Sequence, residues 1–432
     1  MHKDDLIAVL HQWNFWGKNI DTGREREEYL RAIADLVKTG QIVTLIGPRR
    51  SGKSTLMLQF AQDLINCGTK PENTLYINFE DPRFSGELSL QFMQDAYETY
   101  LQYLHPQGPV YIFLDEIQLV EGWEKFVRSL HERKEATLIV SGSASQLLSH
   151  EFGTVLTGRQ LPLHVFPLTF KEFMQFNDLA CSTALDIAAN KTRIKGLLLE
   201  YLRYGGFPQV VLSKQKEAIL TQYFQDIIAR DLVERHHIKN SSKVRELARY
   251  YLGNISAPCS FSKIRNYLKI SLDSVERYSH YLEEAYMTLF VRKYAHSLKE
   301  QELSPRKVYC IDSGLRNMLA FTFSKDIGKL YENLVFLKLL QQKKEIFYSK
   351  QERECDFIVR EKNKITCALQ VCYDLDEHNE KRELEGLQQS MMRLKIPKGI
   401  VITEDLEKTQ GPIEFIPLWK FLLDAESFTH QV

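Results

Sequence analysis

The sequence predicts an α/β protein: a five-stranded parallel sheet with helices on both faces, followed by a helical middle and a smaller mixed α/β end. Three observations predict it. Five short apolar runs alternate with helix-compatible stretches between residues 41 and 166, the pattern of strands buried on both faces. A glycine-rich loop, Gly47 to Thr55, lies between the first run and a helical stretch. Beyond Pro167 the apolar spacing becomes helical.

Composition fits this class. The chain has 432 residues, 44% hydrophobic and 26% charged, an ordinary globular balance that excludes disordered and fibrous classes. The length suits about three domains. Lys+Arg and Asp+Glu are 56 each, so the protein is no polycation and any nucleic-acid contact must be local. Residues 236–320 alone are clearly basic, with 14 basic against 8 acidic residues. The seven cysteines are odd in number and form no Cys-x-x-Cys pair, which argues for reduced thiols rather than a disulfide framework or zinc site. The charged start MHKDDLIAVL does not read as a secretion signal, and no apolar run nears the roughly 20 residues of a membrane helix. A cytoplasmic protein with no membrane partner is the expectation.

The elements follow in order. Residues 1–40 carry helical spacing through Leu6, Val9, Leu10, Leu30, Ile33 and Leu36. Strands are expected at Gln41–Ile46, Leu75–Phe79, Val110–Leu114, Thr137–Val140 and Leu161–Phe166, then helices at Phe170–Asn177, Ile194–Tyr204 and Lys216–His236. Gly205-Gly206-Phe207-Pro208 breaks the helical part. Later come helix-turn-helix spacing over Phe261–Lys269 and Ser271–Leu289, an extended stretch over 290–310, a helix at Leu330–Gln341, and strands at Ile346–Tyr348, Asp356–Val359 and Ile365–Val371.

Gly47-Pro48-Arg49-Arg50-Ser51-Gly52-Lys53-Ser54-Thr55 has the spacing Gly-x4-Gly-Lys-Ser/Thr between a strand and a helix. Its glycines let backbone N–H groups turn inward, and the helix N-terminus adds a favourable dipole for anions. Lys53 would reach the β- and γ-phosphates of a nucleotide, Ser54 would hold magnesium, and Thr55 would pack or cap. The apolar run 110–114 ends in Asp115-Glu116. Asp115 would hold magnesium through water, and Glu116 would act as general base on the attacking water. The strand 75–79 lies between loop and Asp115 in sequence, which separates this order from simple nucleotide kinases. Ser141 or Ser143, after the fourth strand, could sense the γ-phosphate or orient water; a plain turn is the other reading. Arg159 could reach a neighbouring subunit's γ-phosphate, or fix its turn by a salt bridge.

The phrases GPRRSGKST, YINFEDPR, IFLDEIQ, SGSASQLLSHEFGTVLTGR, FPLTFKEF, YLRYGGFPQVV, SPRKVYCIDSGLRN and ECDFIV run in that order along most of the chain. Together they resemble the AAA+ ATPases, and within them a branch of predicted bacterial and archaeal ATPases with a C-terminal nuclease-like domain of unknown function. The resemblance implies a P-loop ATPase core with N-terminal helices (1–167), a helical lid (168–240), a winged helix (241–322) and a degenerate restriction-nuclease-like domain (323–432). It implies ATP and Mg2+ as cofactors, self-association as an oligomer, and Pro208 against the adenine base.

What hydrolysis drives is left between partners. The second helix of the helix-turn-helix carries Asp273, Glu276, Glu283 and Glu284 against Arg277, a face that phosphates repel. Lys263, Arg265, Lys269, Arg292, Lys293, Lys299, Arg306 and Lys307 lie outside it and would suit non-specific contact with a DNA backbone. DNA binding or remodelling is one reading; a nucleotide-gated switch or scaffold for a protein partner is the alternative. A metal nuclease needs Glu332 on its helix, Asp356 on its strand and a Glu-x-Lys on the next strand. The third element here is Gln370-Val371-Cys372, which lacks two of those groups. Glu354 and Asp356 alternate onto one side of a strand and could share a metal or form an exposed polar face.

Overall fold

The structure, a computed structural model, describes residues 1–142, 156, 158–295, 297–319, 326–375 and 380–423. The chain divides into two compact units, Met1–Phe166 and Pro167–Val432.

The first unit runs α1 (Lys3–Trp13), α2 (Glu27–Val37), β1 (Ile42–Ile46), α3 (Lys53–Asn66), β2 (Thr74–Asn78), α4 (Leu90–Leu104), β3 (Tyr111–Asp115), α5 (Trp123–Glu132), β4 (Thr137–Gly142) and β5 (Gln160–His164). All five strands pair in parallel in the order β2-β3-β4-β1-β5. This is the P-loop sheet of the AAA+ type. β4 lies between β1 and β3, so the Asp115 strand is not the neighbour of the loop strand, as the intervening run implied.

Successive residues of each strand enter opposite cores, as a pleated strand requires. Leu75, Ile77, Ile112, Leu114, Leu138 and Val140 join one cluster. Val43, Leu45, Tyr76, Phe113 and Ile139 join the other, against Ile33 of α2 and Leu56 and Phe60 of α3. Each such side chain stabilises the unit by about 1.5–3 kcal/mol on burial. Gly47 ends β1 where a Cβ would stand 2.1 Å from the carbonyl oxygen of Val165, so any side chain there would force β5 away.

The second unit begins with α6 (Phe170–Phe176), α7 (Ala184–Ala189), α8 (Lys191–Tyr204), α9 (Pro208–Leu212) and α10 (Lys216–Asp226), which continues as a π-helical stretch, Ile227–Glu234. Thr169 and Glu172 form a reciprocal capping box at the start of α6. Then follow α11 (Ser241–Gly253), β6 (Pro258–Cys259), α12 (Phe261–Leu268), α13 (Leu272–Glu284), β7 (Thr288–Lys293), α14 (Leu298–Leu303) and β8 (Arg306–Cys310). Both β6 and β7 pair antiparallel with β8, which is winged-helix order. Ser271 caps α13 by accepting from the Ser274 N–H.

The stretch 290–310 is not simply extended. Its middle folds as α14, because Lys-Glu-Gln-Glu-Leu holds strong helix formers and no β-branched residue. The rest is α15 (Ser313–Asn317), α16 (Ile327–Gln341), β9 (Glu345–Lys350), β10 (Glu354–Glu361), β11 (Lys364–Val371), α17 (Glu380–Leu394), β12 (Lys398–Thr403), β13 (Lys408–Gln410), β14 (Ile413–Pro417) and α18 (Leu418–Leu423). β7 pairs in parallel with β9, so winged-helix and C-terminal strands make one mixed sheet in the order β13-β14-β12-β11-β10-β9-β7-β8-β6.

One clamp ties the helical part to that sheet. Asp312, fully buried at the start of α15, accepts from the Gly206 N–H at 2.7 Å and the Leu315 N–H at 3.1 Å. Ser313 donates to the Tyr201 carbonyl at 2.9 Å, and Asn317 to the Leu202 carbonyl at 2.8 Å. The phrase IDSGLRN thus caps the C-terminus of α8, whose carbonyls would otherwise be orphaned. Burial pushes the Asp312 carboxyl up to about 6, with the backbone N–H groups opposing that rise.

Candidate functional site

The Gly47–Thr55 loop forms as its residue types dictate. Gly52 takes a left-handed φ of 99° and opens α3, a conformation easy for glycine and costly elsewhere. Lys53 folds back into the loop, with its Nζ 3.1 Å from the carbonyl oxygens of Gly47 and of Pro48. Ser51 is fully buried, and its hydroxyl has no hydrogen-bond partner among the described residues. Arg49 lies 3.1 Å from Glu80, and Arg50 adopts a left-handed φ of 66°. Arg26, which sequence reasoning passed over, braces the loop by donating to the Ser51 carbonyl at 2.9 Å and the Phe166 carbonyl at 3.0 Å. Its one sequence-level signal is a charged residue at the entry to an amphipathic helix, too common to read.

Asp115 ends β3 and is almost wholly buried. Four hydroxyl-bearing and backbone groups surround it and its neighbour. The Tyr76 hydroxyl donates to one carboxylate oxygen at 2.7 Å. The Ser141 hydroxyl donates to the other. Ser54, at the start of α3, stands close enough to hold the Asp115 carboxyl down. The Glu116 N–H reaches the Ser141 oxygen at 3.3 Å. Burial raises the Asp115 carboxyl above its ordinary value and the Glu116 charge adds to this, while the Ser141, Ser54 and Tyr76 hydrogen bonds oppose it. Glu116 itself sits at a left-handed φ of 52°, and the Gln118 amide donates to its carboxylate.

The buried orphan hydroxyl of Ser51, the inward Lys53 and the glycine cradle fit a phosphate chain. The adjacent oxygen donors Ser54 and Asp115 fit magnesium. Ser141 gives its hydroxyl to Asp115, so its link to the site runs through that carboxylate. Ser143 and Thr157 lie outside the described residues. Arg159 precedes β5 and pairs with Glu132 at 3.1 Å. Gln160 stands opposite Ile42, so the Arg159 backbone is at the far end of the sheet from the loop, about 20 Å away at 3.3 Å per residue. Pro208 starts α9 in the second unit, half-buried.

A second buried charged centre corrects two expectations. Lys307, expected to face a DNA backbone, is fully buried in β8. Its Nζ lies 3.0 Å from Glu332, 2.8 Å from Glu354 and 2.9 Å from Asp356. An ammonium that the third strand lacks therefore arrives from a different strand, and neither Glu354 nor Asp356 belongs to an exposed polar face. Tyr309 donates to Glu332 at 2.7 Å. Gln370 accepts from the Asp356 N–H and donates to Glu383. Burial pushes Glu332 up to about 8, with the Asp356 charge next. For Lys307, burial opposes the charge but the carboxylates outweigh it and hold the ammonium protonated. Among the described residues no group of three or more His, Cys, Asp or Glu is arranged to hold a metal ion.

Three other basic residues of the wing are also engaged. Arg292 and Arg306 pair with Glu302 at 2.7 and 3.0 Å, and Lys293 pairs with Glu300 at 3.0 Å. Both glutamates come from α14, the helix the sequence reading left extended. Lys263, Arg265, Lys269 and Lys299 remain exposed. Among the described residues no helix is long and apolar enough to cross a membrane.

Residues 39–174 match the family model of an AAA domain. Residues 195–326 match a domain of unknown function, DUF8612. Over 428 residues the chain is 31% identical to the protein MJ1544 of Methanocaldococcus jannaschii, spanning 94% of this chain and 93% of that one. A Haemophilus influenzae protein is 31% identical over 365 residues, spanning 82% of this chain and 88% of the other. Among solved structures, the ORC1 protein of Aeropyrum pernix in complex with DNA aligns at 15% identity and a TM-score of 0.30, covering 68% of this chain and 92% of that one. AMPPCP-bound DnaA from Aquifex aeolicus aligns at 14% identity and a TM-score of 0.26, covering 59% and 87%.

Proposed function

The chain belongs to the family of MJ1544 and carries an AAA domain over residues 39–174, and from that premise we propose that it is an ATP-binding, Mg2+-dependent ATPase. The observation that carries the reading is the buried Asp115 carboxylate, held by two neutral hydroxyls at the end of β3, together with Lys53 turned back into the glycine-rich loop. In this reading the loop N–H groups and Lys53 hold the β- and γ-phosphates, and Ser54 and Asp115 hold magnesium. The metal supplies charge neutralisation on the phosphates. Glu116 accepts the proton of the attacking water, with Gln118 and the Ser141-bonded backbone fixing its direction. Pro208 rests against the adenine, its ring offering a rigid apolar face. Arg159 acts on the nucleotide of another copy, since its own loop lies at the opposite end of the sheet; the Glu132 pair holds it until then.

For the work done by hydrolysis, one observation favours a protein partner over DNA. Arg292, Lys293 and Arg306 are ion-paired to α14, and Lys307 is buried. Half of the eight bases that suggested backbone contact are thus engaged within the protein. A nucleotide-gated switch is the reading supported best, with DNA remodelling second. Steady-state ATP hydrolysis with and without single-stranded, duplex and branched DNA tests this, with Lys53→Ala as the control for contaminating ATPase. A low rate indifferent to DNA supports the switch. A rate raised several-fold by DNA supports remodelling. Hydrolysis equal in the Lys53→Ala protein overturns the ATPase reading. For the metal-nuclease reading, uncut supercoiled, linear and single-stranded DNA after incubation with Mg2+ or Mn2+ is the expected result.

A further inference from the structure

Tyr76 is the one aromatic residue whose hydroxyl reaches Asp115 among the hydrogen bonds described above. It comes from β2, not from the loop or the Asp115 strand, and it opens the phrase YINFEDPR. Its ring is buried in the core cluster under α3, beside Phe60, Phe113 and Ile139, and its Oη stands 2.7 Å from Asp115. The strand register explains the reach. Tyr76 pairs with Phe113, two residues before Asp115 on the neighbouring strand. Residues at that diagonal offset share a face about 7–8 Å apart, within the span of a tyrosine. A core needs only the ring; a phenylalanine would fill the same space. The hydroxyl instead meets a buried carboxylate.

From this geometry we infer that Tyr76 is a positioning residue for the magnesium site, acting through Asp115. The inference rests on the ATPase reading above and extends it to a residue outside both motifs. Asp115 has two carboxylate oxygens, and each already receives one hydroxyl, Tyr76 on one and Ser141 on the other. A carboxylate oxygen offers about two acceptor directions, so both oxygens keep one for a metal-bound water. The two hydroxyls sit on β2 and β4, the strands flanking β3, and hold the carboxylate plane from both sides. With Ser54 turned to magnesium, Tyr76 and Ser141 are the hydroxyls that keep Asp115 aimed. Neutral donors suit this task. A lysine or arginine here would hold the carboxylate as firmly but cancel the charge that attracts the cation.

The test is nucleotide binding read by a fluorescent ATP analogue, titrated with Mg2+ from none to millimolar, on the full chain and on Tyr76→Phe. The variant keeps the ring and so the core; its thermal midpoint and its affinity for the analogue without Mg2+ report that the loop is intact. The expected result is unchanged affinity without Mg2+ and a Mg2+ half-saturation point raised about tenfold, the size of one hydrogen bond to a charged group. Excess Mg2+ then restores wild-type affinity, which a purely structural defect does not allow. Ser141→Ala, which frees the other oxygen, shifts the same midpoint in the same direction. A Tyr76→Phe midpoint equal to wild type overturns the inference while leaving the ATPase reading standing. A wild-type protein whose nucleotide affinity ignores Mg2+ overturns both.

Discussion

Asp115 and Asp356 make an instructive pair. Each is a buried aspartate on a sheet strand with a second carboxylate nearby, Glu116 in one case and Glu332 in the other. Their neighbours differ in charge. Asp115 is held by the neutral hydroxyls of Tyr76 and Ser141. Asp356 shares the buried ammonium of Lys307 with Glu332 and Glu354. A hydroxyl orients a carboxylate and leaves its charge unspent. An ammonium spends it. Three carboxylates around one lysine still exceed it by two charges, and burial, with the Asp356 charge next, pushes the Glu332 carboxyl up to about 8. The first arrangement leaves the carboxylate charge uncompensated; the second partly neutralises it within the sheet.

The sharpest way to break this comparison is at the first centre. Glu116→Gln removes the proposed base but no buried partner, so turnover should fall about 10²–10⁴-fold while nucleotide binding and the thermal midpoint stay as they were. A variant that hydrolyses ATP at the wild-type rate would remove Glu116 from the chemistry. At the second centre the expected loss is stability. Lys307→Met leaves three carboxylates without their cation, and chemical denaturation of the second unit should show a loss of about 3–5 kcal/mol. An unchanged midpoint would mean that the cluster is hydrated rather than closed.

The acid dependence of unfolding sharpens the contrast further. Asp312 and Glu332 both have folded values above their unfolded ones. The folded state therefore binds protons more tightly than the unfolded state. Their contribution is full below about pH 4 and is lost as pH rises, through about 6 for Asp312 and about 8 for Glu332. The unfolding free energy of the second unit in urea should decline between pH 5 and 8.5, by about 5 kcal/mol in all if both shifts are fully expressed. Glu332→Gln should flatten the upper part of that decline. A midpoint that climbs over the same range would contradict the burial of both groups.

The smallest effect concerns the wing. Glu300→Gln with Glu302→Gln releases Arg292, Lys293 and Arg306 from their partners. DNA affinity measured against salt should then steepen, by up to about 0.9 in log–log slope for each base that reaches a phosphate. A slope equal to that of the parent protein would show that α14 does not mask these bases.

The legibility of the two units differs for a physical reason. In the first, function depends on residues close together in sequence. The loop, its helix and the strand ending in Asp115 are local patterns, and the five strands form where apolar runs of the right length stand. The alternation of apolar residues also accounts for their two-sided burial. In the second, the expected winged-helix order is present, but the strands and helix beyond residue 371 went unread. Short runs such as Lys398–Thr403 and Ile413–Pro417 carry too little periodicity to separate from loops. The helix inside the wing was equally silent, because six polar and leucine residues satisfy either reading.

By itself, then, the sequence determined the P-loop sheet, the glycine-rich loop between its first strand and a helix, the strand ending in Asp115-Glu116, and the helix-turn-helix, because each rests on contacts within a few residues or on a periodicity. Only the tertiary structure decided which groups surround each buried charge. Tyr76 reaches Asp115 across a strand pair, Arg26 braces a loop 25 residues away, Asp312 caps a helix 106 residues earlier in the chain, and Lys307 lies at the centre of the carboxylates rather than on the surface. Electrostatic neighbours of that kind are set by strand register and sheet continuity, and those depend on the packing of the whole unit.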